Sequence, residues 1–318
     1  MPVRALAPWF GAGRTIAPLV AEELAGCKWV GVPFCGGLGE IAEIETSSIV
    51  CNDLHRHVIN LASVVKCDRS RQEVVRELSR LPFHPDVLAD AQKTCLEYEG
   101  ESLCDVQAAA AYFVCCWMGR SGRSGTPAEF QGGFSNRWNA NGGGSNVRYR
   151  GALTGLAAWG RVMRRCEFVR MDAFEFLEKC KDTRETGIYV DAPWPDDGDR
   201  YKHKFSEGDQ RRLAAKLARF ERARVVIRFG DHPLIRELYP EHYERLDCGR
   251  GDGLVCEPTV CEIQQGIIPS AGRSCGPRRP LGNGWTWIPV KGRTQTNEAK
   301  REVLIVNGPS RAGGGMFQ

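Results

Sequence analysis

Asp191-Ala192-Pro193-Trp194 is the stretch of this chain best equipped for chemistry. Its carboxylate offers hydrogen-bond acceptors to an amino group, its proline fixes the turn that follows, and its tryptophan is a ring on which a planar group can stack. The same residues also suit an ordinary strand-end turn closed by a packing tryptophan. Upstream, Val32-Pro33-Phe34-Cys35-Gly36-Gly37-Leu38-Gly39 places glycines where a backbone can bend sharply and approach a ligand, ahead of a helix start that can face a negative group. Its spacing is neither the dinucleotide fingerprint nor a Walker loop, since no Lys-Ser/Thr follows, and a plain strand-to-helix turn has the same composition. Asp53, after Asn52, either accepts hydrogen bonds from ribose hydroxyls or caps the next helix, and the two roles can coexist. Asp172 presents a similar choice, between an adenine amino group and a helix cap.

Apolar runs mark the elements that must position these residues. Trp29-Val30-Gly31-Val32 and Ser48-Ile49-Val50-Cys51 read as buried strands opening into loops, and 167–171, 187–190, 224–229 and 302–306 read as four more. Helical spacing appears at Leu54, Val58, Leu61 and Val65, across 173–181, and over 208–223 with Leu213, Leu217 and Phe220 on one face. Strands alternating with helices, with acids repeatedly at strand ends, predict an α/β fold with a doubly wound, mostly parallel sheet whose ligands sit beyond the C-terminal strand ends. Between about 59 and 151 the pattern turns to helical segments and a polar tract, which predicts an inserted module. The stretch 248–300, rich in Gly, Pro and Arg with little period, is expected as a long loop.

Composition narrows the class. A chain of 318 residues, 42% hydrophobic, can bury a full core, so disorder, collagen and fibre are excluded. No run reaches ~18 apolar residues, and Arg4, Pro8, Arg14 and Pro18 interrupt the start, so no membrane span or signal peptide is expected and the protein reads as cytoplasmic. Most of the 14 cysteines are expected as reduced core residues. Cys248, Cys256, Cys261 and Cys275 lack C-x-x-C spacing, and no metal site is expected. The net charge is +4, yet residues 115–170 hold nine arginines against Glu129 and Glu167, a local +7 that leaves −3 elsewhere. An arginine-only, glycine-rich segment in a mildly acidic body suits a phosphate-backbone surface, or else a merely solvated face.

Taken in order, Pro8-Trp9-Phe10-Gly11, then Pro33-Phe34-Cys35-Gly36-Gly37, then Asn52-Asp53-Leu54, then an insert, Asp172 and Asp191-Ala192-Pro193-Trp194 form a pattern more specific than any of its parts. It resembles the Dam-like DNA adenine-N6 methyltransferases, whose motifs run P-W-F-G-G-K, E-P-F-x-G-G-G, N-D, a target-recognition insert and D-P-P-Y. Phage-encoded members are similar around Ser135-Asn136-Arg137-Trp138-Asn139. The resemblance spans nearly the whole chain. It implies a Rossmann-like methyltransferase sheet, with residues 1–58 and 152–318 as the catalytic domain and 59–151 as a mainly helical and loop target-recognition insert.

The function it implies is transfer of a methyl group from S-adenosyl-L-methionine to N6 of a flipped-out adenine in double-stranded DNA, by a monomer or weak dimer. By position, Trp9, Phe10, Gly11 and Arg14 flank the cofactor, and Pro33, Phe34, Gly36, Gly37 and Gly39 wrap its methionine portion. Asp53 holds the ribose and Asp172 the adenine end, while Asp191, Ala192, Pro193 and Trp194 hold the target base. Arg120, Arg123, Arg137, Arg148 and Arg150 are expected on DNA phosphates. This chain departs from the motifs at Gly13, where the family's lysine stands, at Val32 for the glutamate, and at Ala192 and Trp194 for proline and tyrosine. Another alkyl group, cytosine N4 as target, or a DNA-binding homologue with weakened catalysis are the alternatives.

Overall fold

The computed structural model describes residues 6–8, 15–100, 104–120, 125–136, 144–195, 203–241, 243–245, 278–280, 284–293 and 299–312. Along the chain run α1 (Ala17–Glu23), β1 (Trp29–Val32), β2 (Ser48–Asn52), α2 (Arg56–Lys66), α3 (Asp68–Arg80), α4 (Pro85–Glu97) and α5 (Val106–Met118). After a 3-10 turn at Glu129–Gln131 come α6 (Ser145–Met163), β3 (Cys166–Val169), α7 (Ala173–Lys179), β4 (Thr186–Val190), α8 (Glu207–Leu217), β5 (Arg224–Gly230) and α9 (Pro233–Leu238). The last strands are β6 (Tyr243–Arg245), β7 (Arg278–Pro280), β8 (Trp285–Arg293) and β9 (Ala299–Asn307).

Seven strands form one sheet in the order β3-β2-β1-β4-β5-β9-β8. The first five are parallel, with Val30 opposite Ile49 and Gly187, and Tyr189 opposite Val226. β9 runs antiparallel to both β5 and β8. The expected α/β architecture with a mostly parallel sheet is therefore present, and β6 and β7 pair separately.

Alternation along the strands divides the core between the two faces of the sheet. Ile188, Val190, Val225, Ile227, Phe229, Val303 and Ile305 pack with Phe174, Leu177, Leu213 and Leu217 of α7 and α8. Val30, Ile49, Cys51, Tyr189, Val226, Leu304 and Val306 share the other core with the apolar faces of α2, α5 and α6. The helices between β2 and β3 thus belong to a core continuous with the sheet. α2 crosses position 58/59 and α6 crosses 151/152, so both edges of the expected insert fall inside helices.

Several details differ from the sequence reading. No helix follows the glycine-rich loop: residues 33–47 pass through turns directly to β2, so the helix start expected to face a ligand there is absent. Leu54 precedes α2 and is exposed, so it is not part of that helix's apolar face. β8 lies in the stretch expected as a loop; Pro289 and Gly292 obscure its alternation, and a proline is tolerated there because β8 is the edge strand. α8 ends at Leu217, which places Phe220 beyond the helix although Leu213 and Leu217 are buried as expected. β3 is Cys166–Val169, one to two residues ahead of its predicted bounds. Of the ten described cysteines six are buried, while Cys67 and Cys104 are exposed. Among the described residues, no helix is long and apolar enough to cross a membrane and no cluster of His, Cys, Asp and Glu could hold a metal ion.

Charges are buried at the start of β5. Arg224 pairs with Glu23 of α1, which is fully buried and also accepts from Ser310 Oγ and from the backbone N–H groups of Arg311 (3.0 Å) and Ala312 (3.1 Å). Burial pushes the Glu23 carboxyl up, but the hydrogen bonds from Ser310, Arg311, Ala312 and Arg224 outweigh it and hold the group below its ordinary 4.5. This stabilisation is complete above about pH 4.5 and is lost as pH falls through the lowered value. Glu23→Gln is expected to cost about 3–5 kcal/mol at neutral pH, because Arg224 is left as an unpaired buried charge. Urea unfolding at neutral and acidic pH checks both points, since the variant should also lose the part of the acid destabilisation that Glu23 contributes.

Candidate functional site

In a doubly wound sheet the chain order reverses at one place, and ligands bind in the crevice outside the carboxyl ends of the strands there. Here the reversal falls between β1 and β4. The loops that follow these two strands are the glycine-rich stretch after Val32 and the turn beginning at Asp191. The two segments with the strongest chemical signal in the sequence therefore border one crevice.

The loop after β1 is held by its neighbours. Asn52, buried at the end of β2, donates from Nδ2 to the carbonyls of Pro33 and Met171 (3.0 Å each) and accepts the Met171 N–H at 2.9 Å. One side chain thereby ties together the ends of β1, β2 and β3. Asp53 Oδ2 accepts the Gly36 N–H at 2.8 Å, and Oδ1 accepts the His55 N–H at 2.9 Å. The cap of α2 is His55, whose Nδ1 accepts from Val58, so Asp53 is not the helix cap. A carboxylate has about four acceptor sites, which leaves Asp53 capacity for two hydroxyl groups.

Gly36 has φ +41°, and Leu38 adopts the left-handed φ of 60°. A leucine there costs of order 1 kcal/mol in strain. Its side chain is buried, which offsets that cost.

At the end of β3, Asp172 caps α7 by accepting from Phe174 N (2.9 Å) and Glu175 N (3.3 Å) through Oδ1. It is exposed, so its other oxygen remains available to a ligand.

Asp191 is the centre of the second loop. Its Oδ2 accepts from Arg228 Nη1 at 2.9 Å, and the indole N–H of Trp194 is a second donor. Arg228 is buried on β5; through Nη2 (2.8 Å) and Nε (3.3 Å) it also binds Glu302 of β9. Burial opposes the Arg228 charge, but Asp191, Tyr189, Glu302 and Glu40 together hold it firmly protonated. For Asp191, burial is the largest influence and pushes the carboxyl above its ordinary 3.8; Arg228 and the Trp194 hydrogen bond pull it down and Glu302 pushes it up. The turn is braced from below by Gln210 of α8, which donates to the Pro193 carbonyl at 2.6 Å.

Trp194 is half-buried, with its ring against Gly230 at the end of β5. A Cβ at Gly230 would stand 3.0 and 3.1 Å from two ring carbons, so glycine is what lets the ring lie there. Phe34 and Phe205 meet edge to face at 5.6 Å and link the loop after β1 to the chain beyond the Asp191 turn.

The described arginines on and just after α6 divide between the two ends of that helix. α6 leads into β3 and so runs opposite to it, which puts its first turns, with Arg148 and Arg150, on the C-terminal side of the sheet. Arg164 and Arg165 lie about 24 Å further along the helix, at ~1.5 Å per residue, where Arg164 approaches Asp68 (3.7 Å) and Arg165 binds the Ile41 carbonyl (3.1 Å). Arg120 joins the first group. Its N–H bonds the Gly133 carbonyl (3.0 Å), and Ser135 meets Ser145 at the start of α6 (3.1 Å). Arg120 and Arg150 are exposed and Arg148 is half-buried. Glu129 in the same loop binds His55 Nε2 at 2.6 Å and Tyr112 Oη at 3.2 Å, both pairs largely buried, which anchors the loop to the start of α2.

Of the residues singled out from the sequence, Pro33, Phe34, Gly36, Gly37, Gly39, Asp53, Asp172 and Asp191 to Trp194 lie in the loops at the C-terminal edge of the parallel strands. Arg120, Arg148 and Arg150 stand on the same side. Trp9, Phe10, Gly11, Arg14, Arg123 and Arg137, and the four cysteines from Cys248 to Cys275, lie outside the described residues. Gln210, Gly230, Arg228 and the His55–Glu129 pair escaped the sequence reading as parts of the site, and Asn52, present in the Asn52-Asp53-Leu54 pattern, had no role assigned. A signal existed for one of them: arginine in the run Val225-Val226-Ile227-Arg228-Phe229 is out of place in a buried strand unless a carboxylate meets it. No protein-family model matches the sequence, and no curated protein is significantly similar to it.

Asn52→Ala would leave the Pro33 carbonyl and both backbone groups of Met171 without their partner. It is expected to lower stability by roughly 2–4 kcal/mol. Chemical denaturation measures this, and an unchanged midpoint would mean that water replaces the side chain.

Proposed function

We propose that this protein is a site-specific DNA methyltransferase that moves a methyl group from S-adenosyl-L-methionine to N6 of an adenine flipped out of double-stranded DNA. The observation that carries the reading is that the glycine-rich loop and the Asp191-Ala192-Pro193-Trp194 turn follow the two adjacent strands, β1 and β4, that flank the switch point. Carboxylates support it further. Asp53, Asp172 and Asp191 follow β2, β3 and β4, and Glu40 and Glu302 are buried near Arg228, so the crevice suits a cationic sulfonium better than the pyrophosphate of a dinucleotide. Arg120, Arg148 and Arg150 supply positive charge on the same side of the sheet, where a duplex could be held over the crevice.

When bound, S-adenosyl-L-methionine supplies an electrophilic methyl group on sulfur; the protein's part is to present the nucleophile. The exocyclic amine of adenine is a poor nucleophile because its lone pair is delocalised into the ring. Hydrogen bonds from that amine to the Asp191 carboxylate and the Ala192 carbonyl favour a pyramidal nitrogen and free the lone pair for in-line attack. Trp194, seated on Gly230 and tethered to Asp191, offers its outer face to replace the stacking lost when the base leaves the duplex. No covalent enzyme intermediate is required.

Mass spectrometry of nucleosides from duplex DNA incubated with the protein and S-adenosyl-L-methionine should reveal N6-methyladenine. Methylcytosine, another adduct, or DNA binding without cofactor binding would each replace this reading with one of its alternatives. Asp191→Ala should abolish transfer while cofactor affinity, measured by calorimetry, stays close to wild type. Arg120→Ala, Arg148→Ala and Arg150→Ala should each weaken DNA binding across sequences and lower the slope of log K against log salt by about 1.

A further inference from the structure

We propose that Arg228 is the positioning residue for Asp191: it holds the carboxylate in the charged form and in one orientation, so that the acceptor sites not taken by Arg228 and Trp194 meet an incoming amine. The kinetic part of this inference rests on the transferase reading, and the electrostatic part on geometry alone.

Arg228 divides its donors by direction. Nε and Nη2 serve Glu302 on β9, and Nη1 reaches across to Asp191 beyond the end of β4. A guanidinium can do both because its five N–H groups lie in a rigid plane, whereas a lysine ammonium is a point charge with no such fork. Arg228 and Glu302 alone would already form a buried pair, so the third contact adds little to what the fold needs. It does act on the carboxylate at the mouth of the crevice, whose side chain is 22% exposed while that of Arg228 is 4% exposed.

The groups around the Asp191–Arg228 pair are Glu302 on β9, Tyr189 on β4, Trp194 in the same turn as Asp191, and Glu40 in the loop after β1, whose charge acts on Arg228 and Tyr189. Arg228 is the one cation among these groups, set against three carboxylates. Without it, burial and the remaining acids would favour the protonated carboxyl, which would present a donor O–H where the amine needs an acceptor.

The double variant Arg228→Met/Glu302→Gln removes the cation together with one buried anion, and so avoids stranding a charge in the sheet. Titration of the Asp191 carboxyl carbon by 13C NMR, assigned with Asp191→Asn, should find its midpoint raised by ~1–3 pH units relative to wild type. The acid limb of kcat/KM for methyl transfer should move up by the same amount, so that raising the pH restores activity. Arg228→Lys keeps the charge and loses the fork. Its carboxyl midpoint should stay near wild type while kcat falls by about tenfold or more through lost orientation. An unmoved midpoint in the double variant, or full kcat in Arg228→Lys, overturns the proposal. If the midpoint moves but the wild-type protein transfers no methyl group, the electrostatic role of Arg228 stands and the transferase reading falls.

Discussion

A guanidinium inside a β-sheet has to be met by carboxylates from the elements around it, and this requirement organises the centre of the molecule. β5 carries two arginines on one face, Arg224 and Arg228, both buried. Arg224 draws in Glu23 and with it α1 and residues 310–312; its Nη1 also bonds the Asn307 carbonyl at the end of β9. Arg228 draws in Glu302 from the antiparallel β9 and Asp191 from the end of β4. Removing Glu23 costs more than its pair with Arg224 contributes, because Arg224 keeps its desolvation penalty. The reversed strand, the first helix and the candidate site therefore depend on the same row of charges.

That dependence gives the site its rigidity. Asn52 clamps three strand ends, Asp53 restrains the glycine-rich loop through Gly36, and Gln210 and Arg228 hold the Asp191 turn from two sides. Such contacts restrain the groups that a bound molecule would meet, and small errors in position are costly wherever a reaction depends on alignment. The loop bearing Arg120 is attached to the same framework, because His55, which grips Glu129, also donates its N–H to Asp53. A hydrogen-bonded path thus runs from the glycine-rich loop to the basic loop of the region between β2 and β3.

Much of the fold could be read from the chain. Six of the seven strands of the main sheet show as apolar runs; the central ones do so because a strand buried on both faces needs little else, while β3, at the edge, is only partly buried. β8 did not, since an edge strand with Pro289 and Gly292 breaks both period and composition. The stretch between β2 and β3 reads as a separate unit because its polarity changes along the chain, yet Tyr112, Phe113, Tyr149 and Trp159 pack into a core shared with β1 and β2. Its arginines likewise read as one basic segment, while α6 holds Arg148 and Arg150 in its first turns and Arg164 and Arg165 follow its last.

The residue types determined the chemistry on offer: an acceptor beside a ring at Asp191 and Trp194, a bendable loop at Gly36, acids after successive strands, and a strand-helix alternation that brings these ends to one edge. Sequence order alone could not show that Arg228 stands under Asp191, that Trp194 rests on Gly230, or that His55 rather than Asp53 caps α2. These pairs lie 37, 36 and 2–3 positions apart, and only the first two need strands that become neighbours in the folded sheet. The third turns on which of two nearby polar side chains takes a backbone N–H of the helix: both Asp53 oxygens are engaged, by Gly36 and His55, and His55 accepts from Val58. Composition reports which groups a chain possesses; the charge state and direction of each depend on partners that burial brings within reach.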